Sequence, residues 1–203
     1  MHDLLAGRPS EFLAADDMHV DYNKRFTAPG GRDSWKLERL QHFRDPQFVS
    51  WEAFDRGEWG RSLRLLEDER ASLAEQQGEA VAMGVDLYRV RVVAEPIAPY
   101  VQWELHLLAL RAQYGERIRV IGPEIVAPFE SAEIVPELLT VGTDTVYEFR
   151  YDETGTLIGA NRYIDTEIYD RCMEFMRSLY AEGEDVRAFF QRRVVGLAPP
   201  GAA

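Results

Sequence analysis

The sequence predicts an α+β or α/β fold in which helices pack on a single mixed β-sheet. Three stretches carry that prediction. Residues 87–121 read as strand, helix, strand; residues 145–163 read as a hairpin; residues 166–181 read as a helix with one apolar stripe.

In residues 87–94 the side chains alternate. Leu87, Arg89, Arg91 and Val93 share one face and Tyr88, Val90, Val92 and Ala94 the other, the period-two pattern of a strand. Pro96 and Pro99 end it. A helix over 99–113 follows, with Pro99 tolerated because the first helical turn has no intrahelical use for an N–H. Its Val101, Leu105, Leu108 and Ala112 lie on one side. A turn at Gly115-Glu116 leads into a second strand over 117–121, which Gly122-Pro123 ends. Such a unit closes as a right-handed parallel crossover.

Downstream, residues 124–142 read mostly as loop, with a short strand at 138–141. Strands over 145–151 and 156–163 flank the turn Asp152-Glu153-Thr154-Gly155. Ile168, Cys172, Phe175, Met176 and Leu179 form the stripe of the helix over 166–181, and 184–191 continue as a turn or helix. Upstream, 50–56 reads as a short helix or turn. Residues 59–77 form a longer helix with Trp59, Leu63 and Leu66 on its apolar edge. Ser10 starts a short helix, 27–34 is a turn-rich break, and Asp33-Ser34 reads as the cap of a segment containing Trp35, Leu37 and Leu40. The expected layout is an N-terminal extension over 1–49, partly irregular, a main α/β domain over 50–192, and a flexible tail over 193–203.

The formal charge of −12 is concentrated toward both ends, and the middle is neutral. Binding to a phosphate backbone needs the opposite balance, so direct contact with nucleic acid is not expected. The single cysteine, Cys172, cannot form an internal disulfide, which suits a reducing compartment. No apolar run has membrane-spanning length, and the N-terminus lacks the pattern of a secretory leader. A cytoplasmic location without membrane contact is the expectation, and oligomeric state is left open.

The run RVRVVAEPIAPYVQWELHLLALRAQYGERIRVI resembles an uncharacterised actinobacterial domain-of-unknown-function family. Arg89, Arg91, Glu95, Pro96, Tyr100, Trp103, Glu104, Gly115, Glu116, Ile118 and Arg119 carry the likeness, and the hairpin YEFRYDETGTLIGA adds to it. The resemblance spans roughly residues 50–190. It implies genes often placed beside helix-turn-helix regulators, and a layout distantly like a degenerate phospholipase D half-domain. Phospholipase D chemistry uses a His nucleophile followed two residues later by a Lys. None of His2, His19, His42 and His106 precedes a Lys at that spacing, so the likeness implies the layout without the activity.

Six residues make the candidate ligand-binding site: Arg89, Arg91, Glu95, Tyr100, Trp103 and Glu104. Two guanidiniums on one strand face suit bidentate capture of a carboxylate or phosphate. Glu95 and Glu104 are near enough in sequence to neutralise them instead, so an internal ion-pair network at a strand-to-helix edge is the competing reading. Tyr100 and Trp103, three apart on one helix, line a pocket or simply pack on the sheet. His106 and Cys172 read as structural, and Asp144, Asp152 and Glu153 as turn chemistry rather than a metal site. His19, Asp21, Tyr22 and Lys24 form the densest polar group of the extension.

No catalytic residue is assigned, and neither a cofactor nor a metal is expected. The expected function is a non-enzymatic regulatory or interaction protein, with a small anionic molecule or a helix-turn-helix regulator as partner. The alternative is an enzyme of specialised metabolism that uses Glu95, Glu104 and Tyr100 in the same cleft.

Overall fold

Alternation along the strands decides how this chain folds. The computed structural model describes residues 5–130 and 134–201. In chain order the elements are β1 (Glu11–Ala14), α1 (Ala15–Phe26), β2 (Ser34–Glu38), α2 (Val49–Asp55), α3 (Trp59–Asp68), α4 (Arg70–Ala82) and β3 (Leu87–Val92). Then come α5 (Pro99–Tyr114), β4 (Arg117–Ile121), α6 (Pro123–Val126) with a 3₁₀ turn (Ala127–Phe129), β5 (Leu138–Val141) and β6 (Thr145–Tyr151). β7 (Leu157–Ile164), α7 (Thr166–Glu182), β8 (Glu184–Asp185) and α8 (Val186–Arg193) complete the chain. One mixed sheet orders the strands β1-β7-β6-β5-β2-β3-β4-β8. Strands β2, β3 and β4 are parallel, and the remaining pairings are antiparallel.

The first sheet face is apolar. Trp35 and Leu37 of β2, Val90 and Val92 of β3, Leu138 and Val146 pack against Ile168, Cys172, Met176 and Leu179 of α7. Asp165 starts that helix by accepting a hydrogen bond from the Ile168 N–H at 3.1 Å. This face is a sheet-on-helix core of the expected kind; of the stripe read from the sequence Ile168, Cys172, Met176 and Leu179 are buried, Phe175 is partly buried, and Tyr169 and Met173 join them.

The opposite face is divided. On one side Met18 of α1 packs with Val141, Tyr147 and Ala160. On the other, Val101, Leu105 and Leu108 of α5 pack with Ile118 and Val120 of β4. Between the two helices the sheet presents Lys36, Glu38 and Arg89.

Three local expectations are corrected. Residues 34–38 form a strand, not a capped segment, because Trp35 and Leu37 are two apart and both enter the α7 core. Residues 59–77 divide into α3 and α4 around Glu69. Ser10 does not begin a helix; the chain runs through β1 before α1 starts at Ala15. The segment assigned to the extension thus contributes β1, α1 and the central strand β2.

Two devices place α1. Asp21 accepts hydrogen bonds from Arg25 Nε (2.8 Å), Tyr147 Oη (2.6 Å) and Arg162 Nη1 (2.7 Å). Burial works to raise its carboxyl, but these bonds outweigh burial and hold it at about 2. The second device is Gly159, opposite Ala14 in the β1–β7 ladder. At φ +150° a Cβ there would lie 2.0 Å from the Leu13 carbonyl oxygen, so only glycine lets β1 approach. Gly159→Ala is therefore expected to release β1 and loosen α1. Amide hydrogen exchange should show faster exchange in residues 11–26 with the α7 core unchanged; unchanged protection in 11–26 would contradict this account.

Candidate functional site

The charged strip between α1 and α5 is the floor of a cavity of about 530 Å³. Its shape follows from sequence alternation on the two parallel strands. Lys36 and Glu38 alternate with Trp35 and Leu37, and Arg89 and Arg91 alternate with Val90 and Val92. Once the apolar set is committed to α7, the charged set must face the other way.

Every cation of the floor is bonded to a carboxylate. Arg89 Nη1 lies 2.8 Å from both Glu38 oxygens, and its Nε donates to Glu116 Oε1 at 2.7 Å. Lys36 Nζ reaches Glu38 Oε1 at 2.6 Å, and Arg111 Nη1 reaches Glu116 Oε2 at 3.3 Å. Burial works to raise Glu38, yet Arg89, Lys36 and Arg91 outweigh it and hold that carboxyl well below the usual range. Glu116 is lowered in the same way by Arg89 and Arg111.

Arg91, 0 % exposed, lies deeper. Its Nε donates to Glu104 Oε2 at 2.7 Å and its Nη1 to the carbonyls of Val92 and Glu38. Glu104 is 4 % exposed, and for it the balance is reversed. Burial and the neighbouring Glu38 carboxylate exceed the attraction of Arg91 and push its carboxyl up to about 7. Nearby Glu137, whose Oε1 accepts from the Arg39 and Leu40 amides, is also pushed up to about 7 by burial.

The walls are aromatic. Tyr100 donates to Asp45 Oδ2 at 2.6 Å, and its ring sits 5.5 Å from Phe43 and 5.5 Å from Trp103. Phe43 lies 4.9 Å from Tyr151. From α1, His19, Tyr22, Asn23 and Phe26 close the opposite side.

Of the six residues expected to form a site, Arg89, Tyr100, Trp103 and Glu104 line this cavity. Arg91 supports it from below through Glu104. Glu95 is not brought in: it is exposed beyond the strand end and pairs with Arg193 of α8. The extension's polar group also divides. His19 and Tyr22 line the cavity, Asp21 anchors α1, and Lys24 is exposed. His106 lies between Trp59 and Phe190, ring centroids 5.4 and 4.8 Å away, and burial lowers its pKa. Cys172 is fully buried under the sheet, its thiol pushed up to about 12 by burial. Asp152 bonds Thr154 and the Thr156 amide within its turn.

Sequence reasoning missed Lys36, Glu38, Asp45 and Arg111 as partners in the site. The available signal was the run Trp35-Lys36-Leu37-Glu38, whose charged members alternate with core residues at strand spacing.

The raised Glu104 carboxyl has a consequence for stability. Its ordinary value is 4.5 and its folded value about 7. Its contribution is therefore complete below the ordinary value and lost as pH rises through about 7. Glu104→Gln removes that dependence. Between about pH 5 and pH 8, urea midpoints of the unsubstituted protein should fall relative to those of Glu104→Gln. Parallel pH profiles would contradict the assignment.

Comparison with curated proteins gives no match. Among solved structures there is a likeness to TrmBL2, an archaeal chromatin protein whose structure is described as showing a novel mode of DNA binding. The TM-score is 0.41 at 7 % identity, over 89 % of this chain and 55 % of that one, so this chain spans about half the length of that protein. The expected partners are corrected on this finding. The neighbour is described as a DNA-binding protein, against the expected exclusion of nucleic acid, which is not retained; a likeness of this extent assigns this chain no partner of its own. A small anion would have to compete with the carboxylates that Arg89 and Arg91 already hold, although the buried Arg91 Nη2 has no hydrogen-bond partner among the described residues. Among the described residues, no helix is long and apolar enough to cross a membrane. Residues 21–191 match the family model described as a domain of unknown function (DUF6879), and the chain belongs to that family.

Proposed function

We propose that this chain is a non-enzymatic binding protein that takes up a small molecule in the cavity between α1 and α5. One observation carries the reading: a cavity of about 530 Å³ with aromatic walls lies over the buried ion bridge Glu38–Arg89–Glu116. Volumes of this order suit drug-sized ligands, and a few fixed polar groups among apolar walls give such pockets their orientation and specificity. The bonds that hold the floor exist before any ligand arrives, so binding would not have to order them. The phospholipase D-like layout implied by the sequence adds no phosphodiester chemistry, since the His and Lys spacing is missing.

The test is a thermal-shift screen with aromatic amines, phenols and aromatic acids. A ligand present at a hundred times its Kd stabilises by about 2.7 kcal/mol. For a chain of this size that is a rise in Tm of about 5–10 °C. Asn23, exposed on α1 at the cavity wall, offers a control. Asn23→Trp fills the opening without touching the ion network, and the shift should vanish. A screen without any saturable shift, or a shift that survives Asn23→Trp, would overturn the reading.

A second reading, an acid–base enzyme in the same cavity, is favoured by the Glu104 carboxyl at about 7. It requires a turnover whose rate follows an ionisation near neutral pH and is lost in Glu104→Gln. Turnover that persists in Glu104→Gln would remove it.

A further inference from the structure

Carboxyl groups outnumber cations around the cavity, and the surplus lies at one end. Lys36, Arg89 and Arg111 are occupied by Glu38 and Glu116. Asp45 and Glu104 remain. Asp45 accepts from the Tyr100 hydroxyl and, at 3.4 Å, from Gln47, and makes no direct ion pair among the described residues, although Lys36 attracts it through space. Glu104 gives one oxygen to Arg91, while the other has no hydrogen-bond partner among the described residues, although the side chain is buried in the cavity wall. Tyr100 links the two: it bonds Asp45 and precedes Glu104 by one turn of α5.

We propose that the cavity is a site for an organic cation. Its ammonium group lies between Asp45 and Glu104, and its aromatic or apolar body lies among Phe43, Tyr100, Trp103 and Tyr151. This rests on the cavity being a ligand site and names the class of ligand.

Three features argue for this class. Ring faces carry negative potential and attract ammonium groups, most strongly where water is excluded. A bare metal ion prefers a shell of oxygens to a box of rings. An anion would meet the Asp45 carboxylate and the Glu104 oxygen that Arg91 leaves free, whereas an ammonium donates charge-assisted hydrogen bonds to them. Burial raises both Asp45 and Glu104 above their ordinary values, outweighing the attraction of Lys36 on Asp45 and of Arg91 on Glu104.

The experiment uses the full chain near pH 8 and three probes of matched size: tyramine, its neutral isostere para-propylphenol, and the anion para-hydroxyphenylacetate. Isothermal titration should show tyramine binding about ten-fold or more tighter than either analogue. Glu104→Gln and Asp45→Asn should each bring the preference for tyramine over para-propylphenol toward one, and two variants guard against a folding defect in either. Equal or tighter binding of para-propylphenol or para-hydroxyphenylacetate overturns the cation assignment. So does a tyramine preference that is unmoved in both variants, or no tyramine binding at all. Binding of either analogue that Asn23→Trp abolishes would leave the cavity reading standing while removing this inference.

Discussion

The buried bridge Glu38–Arg89–Glu116 is the constraint on which the rest of the structure depends. Its three members come from β2, from β3 and from the turn between α5 and β4. Charges taken out of water cost several kcal/mol each unless geometry and hydrogen bonding are nearly complete. That penalty specifies register. A one-residue slip of β2 against β3 would turn Glu38 into the apolar α7 core and Trp35 and Leu37 onto the charged floor. The apolar face and the ionic face of these strands thus enforce the same pairing from opposite sides.

The same bridge explains why a cavity exists. An apolar helix cannot close over ionised groups without stranding them, so α1 and α5 stand apart above the strip. α5 settles on the apolar part of β4, and α1 on β5 to β7, held by Asp21 and by the close approach at Gly159. What stays open is lined by groups that combine an apolar body with a polar tip, Tyr100 and Trp103 among them. Function, as proposed, is a by-product of how the fold accommodates charge.

Much of this was legible in the sequence where elements are long and periodic. The strand–helix–strand unit, the hairpin and the α7 stripe follow from spacing alone, and Arg89 and Arg91 do share a strand face. The pairing of Arg91 with Glu104 was also within reach, since both flank one crossover. The role of residues 1–49 was not. β2 is five residues long, too short for periodicity to separate strand from helix, and its partners lie about fifty and a hundred residues downstream. Glu38 and Asp45 join the site through those long-range pairings, which local pattern does not encode. Glu95 misled because nearness in sequence to Arg91 was taken for nearness in space, whereas the strand ends before it and its side chain turns to Arg193.

The central claim is that the space above the ion bridge is where a ligand sits. The indole of Trp103 reports on it directly: the residue is 1 % exposed, it lines the cavity, and its Nε1 has no hydrogen-bond partner among the described residues. The measurement is the Trp103 indole N–H resonance during titration with tyramine, assigned by its loss in Trp103→Phe. The account predicts a saturable shift of that resonance, with Trp35, on the far side of the sheet, unmoved. A Trp103 resonance that stays fixed through the titration, or one that shifts together with Trp35, would contradict it.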